Sequence, residues 1–193
     1  MIKKFIIFYF VINILNICLA ENIYKIILTV NNYPITKIDL DNEIKILSIL
    51  NKKKISNEEK NIAINNLIDE TIKYQEIEKE NLTTKENLIR EYFLTLIKNL
   101  NINEDEINPK FVSLIKKKIN IDKLWNDLIV KKYSWKLNIN MQEIEKKLNK
   151  KENNYSDKEK EKIIMEEKNK KLAVFSKYHL NMIKKQSLIK FLK

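Results

Sequence analysis

The sequence predicts a mainly α fold: a helical domain with a small β-sheet formed by an N-terminal hairpin and a C-terminal strand. Three observations predict it. Segments with an apolar stripe at helical spacing follow one another from about residue 37 to residue 185, several opening on Ser or Thr with an acid three residues later. Only Lys25–Val30 with its return, and Leu188–Leu192, read as β. These two stretches are expected to pair, so that both ends of the domain close one sheet.

Taken in order, Ile26-Ile27-Leu28-Thr29-Val30 is rich in β-branched residues and forms the first strand. Asn31-Asn32 tolerates the left-handed conformation of a hairpin turn, and Tyr33-Pro34-Ile35 returns as an edge strand because Pro34 has no N–H to give a ladder. Thr36 caps the first helix with Asp39 at its third position, and Leu40, Ile44, Leu47 and Leu50 are its expected inner face. Ser56 with Glu59 opens a helix from about Asn57 to Glu80, carrying Ala63, Ile64, Leu67, Ile68, Ile72 and Ile77 inward and stopping at Asn81. Within it, Asp69 and Glu70 point apart, and Asp69 pairs with Lys73 one turn on.

Thr83 with Glu86 is expected to open a third helix to Leu100, with two apolar rows, Leu88-Tyr92-Leu96 and Ile89-Phe93-Ile97-Leu100, against two neighbours. Pro109 starts a short helix with Phe111, Leu114 and Ile115. A separate helix from Ile121 to about Leu137 turns Leu124, Trp125, Leu128 and Ile129 inward, and a sixth runs from Asn140 to about Asn149. Ser156 with Glu159 opens the last helix, highly charged at first and then apolar at Leu172, Phe175, Tyr178, Met182 and Ile183.

Residues 1–20 read as a secretory signal peptide, with basic Lys3-Lys4, an apolar run from Phe5 to Leu19, and small residues at Cys18 and Ala20 for cleavage after Ala20. The run is short for a membrane anchor and is broken by Asn13 and Asn16. Processing would remove Cys18, the only cysteine, and with it any disulfide, thiolate or metal-thiolate chemistry. The domain then spans 21–149, with 150–155 as a linker and 156–193 completing it.

The chain carries a formal charge of +11, no glycine, one histidine and one arginine, Arg90. Without glycine there is no phosphate-cradling loop, dinucleotide fingerprint or nucleophile elbow. His179 is expected to pack rather than to catalyse, and no carboxylate pair is placed for acid–base work, so the expectation is no enzyme, no cofactor and no metal. The lysine clusters read as solvated faces. With an export signal and one arginine no nucleic-acid partner is expected, whereas an anionic lipid surface is a candidate partner. Trp125 and Phe93 are expected in the core. Tyr92, Phe111, Tyr133, Trp135 and Met141 are the candidate binding residues, as exposed apolar surface.

The ordered segments Ile27 to Leu40, Leu67 to Glu76 and Leu124 to Lys132, a short helix at Asn140 to Leu148 and the closing stretch Lys168 to Leu192 together resemble the N-terminal domain of the SurA family of periplasmic chaperones. The family's parvulin prolyl isomerase domain has no counterpart, since residues 150–155 cannot hold a domain. The resemblance therefore implies a chaperone without isomerase activity: an ATP-independent periplasmic holdase binding unfolded outer-membrane β-barrel proteins. A non-catalytic helical adaptor for one folded envelope partner is the alternative.

Overall fold

The computed structural model describes residues 25–56, 59–139 and 156–192. Strand β1 (Ile26–Val30) and strand β2 (Tyr33–Thr36) form the hairpin. Helices α1 (Lys37–Asn51), α2 (Glu59–Lys79), α3 (Glu86–Asn99), α4 (Pro109–Tyr133) and α5 (Asp157–Gln186) follow, and strand β3 (Ile189–Phe191) ends the chain's described part. The fold is mainly helical, and both termini of the domain meet in one three-stranded antiparallel sheet of order β2-β1-β3, as expected.

Local chemistry explains most of these elements. Asn31 and Asn32 sit at φ 49° and 73°, which aligns the hairpin turn with the twist of its strands. The Asn31 side chain does more than turn the chain. Its Nδ2 donates to Gln75 Oε1 at 2.9 Å and to Ser187 Oγ at 3.3 Å, and its Oδ1 accepts from the Leu188 N–H at 2.8 Å. One residue thus ties the hairpin to α2 and to the segment entering β3. Thr36 and Asp39 form the reciprocal capping box at the start of α1, and Ser56 with Glu59 and Ser156 with Glu159 do the same for α2 and α5. Asn81, at φ 51°, ends the turn after α2.

Three apolar clusters fill the interior. Leu28, Val30, Ile35, Ile68 and Ile72 join the sheet to α2; Ile77, Ile121, Leu124, Trp125, Leu128 and Ile129 join α2 to α4 and, through Leu172, Phe175 and Ile183, to α5; Ile46, Phe93, Ile97, Ile107 and Ile115 join α1, α3 and α4. Trp125 is buried and its Nε1 donates to Ser176 Oγ at 2.8 Å, so the indole gains area and keeps its hydrogen bond.

Several expectations are corrected. The short helix at Pro109 and the helix from Ile121 are one, because Lys116 to Asn120 contains no breaker and Ile115, Lys118 and Ile121 keep one face inward. It ends at Tyr133, and Ser134–Lys136 continues as a single 3₁₀ turn. In α1 the buried positions are Glu43 and Ile46; of the expected inner face Leu50 is partly buried against the α1–α3–α4 cluster, while Leu40, Ile44 and Leu47 are half-exposed, because the helix is rotated to bring Glu43 to a cation on α4. Helix α3 opens at Lys85 without a side-chain cap, so Thr83 and Glu86 form no capping box. Only its row Ile89-Phe93-Ile97 is buried, packed between α1 and α4; Leu88 and Leu96 are half-covered and Tyr92 is exposed. Asp69 pairs with Lys184 at 2.6 Å and Lys73 with Asp122 at 2.7 Å, not with each other, because α2 is gripped by α5 on one flank and α4 on the other. On α5, Tyr178 and Met182 face outward, and His179 takes the inner position. The segments expected as a signal peptide (1–20), a sixth helix (Asn140 to Asn149, with Met141) and a linker (150–155) lie outside the described residues.

Candidate functional site

The C-terminal turn of α4 and the middle of α5 cross at an aromatic cluster. Tyr133 stacks on Phe175, with ring centroids 5.2 Å apart and planes 19° apart, and meets Tyr178 and His179 edge-on at 6.5 and 5.5 Å. Its Oη lies 2.9 Å from His179 Nδ1. His179 is buried against Trp125, at 5.5 Å between centroids. Burial pushes the imidazole pKa down, the nearby Lys132 adds to this, and Glu76 opposes it. Burial also raises the Tyr133 phenol. His179 is therefore the polar centre of an aromatic core, as its packing role predicts.

Outward from this cluster lies an apolar ridge. Val174, Tyr178 and Met182, spaced by four on α5, share one face, and they are 65, 56 and 37% exposed. The 3₁₀ turn after α4 places Trp135, 69% exposed, beside Val174 at one end of this face. Trp135, Val174 and Phe175 line an open hollow of about 550 Å³ rimmed by Lys136, Lys170 and Lys171. The Lys136 ammonium stands over three rings, 4.6 Å from Trp135, 5.7 Å from Phe175 and 5.9 Å from Tyr133. Lys171 Nζ donates to the Asn138 carbonyl at 2.6 Å, which fastens the chain after the turn to α5. The result is an apolar surface with a positive rim. It offers contact area and positive charge.

A second hollow, of about 260 Å³, lies between the hairpin, α1, α2 and α4, with Tyr33, Leu67, Tyr74 and Lys117 at its wall. A buried ion triad forms its floor. Lys118 Nζ is 2.8 Å from Glu43 Oε2 and also pairs with Glu70, while Glu43 Oε1 accepts from Asn66 Nδ2 at 3.1 Å. Burial works against the Lys118 charge, but the two carboxylates outweigh it and its pKa is raised. One ammonium thus serves two carboxylates, and the triad occupies the floor of the hollow rather than its mouth. Among the described residues no cluster of three His, Cys, Asp or Glu is placed to hold a metal, and no helix is long and apolar enough to cross a membrane.

The candidate client-binding residues do not form one surface. Tyr92 is exposed on the outer row of α3, and Phe111 is half-buried against the α1–α3–α4 cluster at the start of α4. Tyr133 and Trp135 sit at the other end of α4, so Phe111 and Tyr133 are roughly 33 Å apart along one helix. Trp135 is the exposed residue expected of it; Tyr133 is half-buried and serves as the ridge's support. Met141 lies outside the described residues. Sequence reasoning missed Val174, Tyr178, Met182 and Lys136 as surface. The signal was there: Leu172, Phe175, His179 and Ile183 already supply an inner stripe, which leaves the i, i+4, i+8 set Val174-Tyr178-Met182 on another face.

Fold and site thus define a mainly helical domain, closed by a terminal three-stranded sheet, that presents an apolar ridge rimmed by lysines. No protein-family model matches the chain, and no curated protein matches it either.

Proposed function

We propose that the protein is an ATP-independent holdase of the periplasm, which binds unfolded outer-membrane β-barrel proteins on the ridge formed by Trp135, Val174, Tyr178 and Met182. The observation that carries this reading is the exposure of those four residues, with Lys136, Lys170 and Lys171 around Trp135 and Val174. Contiguous exposed apolar surface costs solubility unless something covers it in use. An unfolded barrel strand alternates apolar and polar residues, and a ridge of aromatic, Met and Val side chains takes such segments with little sequence stringency. The lysine rim and the charge of +11 attract acidic segments and anionic lipid headgroups at long range. The resemblance of the ordered segments to the SurA family, and the signal-like residues 1–20, point the same way.

The test is light scattering of a urea-denatured outer-membrane barrel protein on dilution, with the full chain present and ATP absent. The expected result is suppression near equimolar ratio, lost when Trp135, Tyr178 and Met182 are replaced by Ser. No suppression by the parent chain refutes the holdase reading. Stoichiometric capture of one folded envelope protein, with no affinity for unfolded chains, establishes the adaptor instead.

A further inference from the structure

The two edges of the sheet are built differently. On β2, Pro34 stands opposite Thr29, and the neighbouring pairs Val30–Tyr33 and Leu28–Ile35 face inward to β1. The Pro34 nitrogen therefore points to the outer edge, where it has no hydrogen to give. That edge is sealed against a further strand.

On β3 the alternation runs the other way. The Asn31 N–H donates to the Leu188 carbonyl and the Leu192 N–H to the Ile27 carbonyl, each at 2.9 Å, and Lys190 is registered with Thr29 between them. In an antiparallel ladder these positions spend their main-chain groups on β1, so the N–H and C=O of Ile189 and Phe191 face away from it. The edge carries no proline, and Phe191 is 67% exposed. Such an edge is a template for strand addition.

We propose that the outer edge of β3 takes up an extended peptide segment carrying a carboxylate opposite Lys190. This rests on the holdase reading and adds to it the conformation and charge of the segment held. Charge chooses this occupant. A second copy adding symmetrically in the register that engages both Ile189 and Phe191 of each chain would set Lys190 directly against its own counterpart, like charge on like charge. An incoming acidic residue at that position turns the same contact into attraction, in the closer, non-hydrogen-bonded type of pair. Phe191, on the same face as Leu28, then gives an apolar partner to the neighbouring residue of the segment.

The experiment uses the full chain and a short labelled peptide of alternating Val and Thr with Glu at its centre, read by fluorescence anisotropy and by amide hydrogen exchange. Expected are protection of the Ile189 and Phe191 amides on peptide addition, and about tenfold weaker binding by Phe191→Pro, which removes the outward donor. Phe191→Ala should lose no more than about threefold, since it keeps that donor. Retained protection of the Lys190 and Leu192 amides checks that β3 still pairs with β1 in the proline variant. A peptide N-methylated on the facing residues tests the same bonds from the ligand's side and should also weaken about tenfold. Lys190→Glu should reverse the preference between Glu-centred and Lys-centred peptides. Equal binding of parent and N-methylated peptide, or no binding, overturns the proposal. So does protection of Ile189 and Phe191 in the free protein, whether from its own chain or, if concentration-dependent, from a second copy. Scattering on the same preparation separates the two readings: suppression without peptide binding sinks only the edge, and peptide binding without suppression sinks only the holdase.

Discussion

Lys118→Met is the perturbation with the largest expected effect for its size. Among the described residues Lys118 is the one cation paired with Glu43, whose side chain is 2% exposed. Removing it leaves that carboxylate buried with a single hydrogen bond, from Asn66. Breaking a buried pair from one side costs ~3–5 kcal/mol. Lys118 and Glu70 keep 23 and 21% exposure, so water relieves part of the penalty and the expected loss sits at the lower end, about 3 kcal/mol. With a urea m-value of roughly 2 kcal/mol/M, the midpoint should fall by about 1.5 M at pH 7. Glu43→Gln keeps the shape, the Asn66 bond and the Lys118–Glu70 pair, and should cost only about 1 kcal/mol. The double variant Glu43→Leu, Lys118→Met removes both charges and should recover most of the loss. Urea unfolding followed by circular dichroism measures all three. A loss below about 0.5 kcal/mol for Lys118→Met would refute the reasoning, since it would mean that water reaches Glu43 and the triad is not a buried one.

The remaining predictions concern the aromatic cluster, the hairpin and the ridge. Because the folded-state pKa of His179 is lowered, its neutral form is favoured by folding: stability is unaffected above the ordinary histidine value of 6.5 and falls as pH drops below it. His179→Gln should flatten that acid-side slope in unfolding curves taken between neutral and mildly acid pH; an unchanged slope refutes the assignment. The raised pKa of Lys118 works at the other end, giving stability that is full below the ordinary lysine value of 10.5 and is lost as pH rises through the raised one, so the gap between parent and Lys118→Met should narrow in strong alkali. Asn31→Gly keeps the positive φ but loses three side-chain hydrogen bonds, so amides of Leu188 to Leu192 should exchange at least about tenfold faster, by hydrogen exchange, while β1–β2 amides change less. Of the two tryptophans, Trp135 at 69% exposed should be quenched by acrylamide and Trp125 at 1% should not. Trp135→Ala should change stability by less than about 0.5 kcal/mol, whereas Trp125→Ala should cost ~3–5 kcal/mol.

What was legible in the sequence is what local chemistry decides. Asn-Asn at the hairpin, Pro34 on an edge, the Ser and Thr boxes at the starts of three helices, and the Trp125 face of α4 act within a few residues, and each stands where its local rule places it. What was not legible is what neighbouring helices decide. Apolar spacing alone favoured Leu40-Ile44-Leu47 as the inner face of α1, but it gives no weight to a glutamate, and the rotation of α1 is set by Lys118, seventy-five residues further on. Asp69 and Lys73 are spaced for a bond within α2, yet each finds a partner on a different flanking helix, which spacing within α2 cannot reveal.

The site was only partly legible for a related reason. Helix α5 carries more apolar positions than one contact face can use. Leu172, Phe175, Leu180 and Ile183 pack on the α2–α4 core, so the surplus Val174, Tyr178 and Met182 must emerge somewhere else. Whether a surplus stripe meets another helix or remains bare depends on how α5 lies on α4, where the Trp125–Ser176 bond and the Tyr133–His179 contact join residues about fifty positions apart. The polar atoms in the aromatic core thus have a consequence at the surface. By linking α4 to α5 at this point they hold Trp135 and Val174 side by side, a preformed face of the kind the proposed holdase requires, since a binder that need not assemble its contact face loses less entropy.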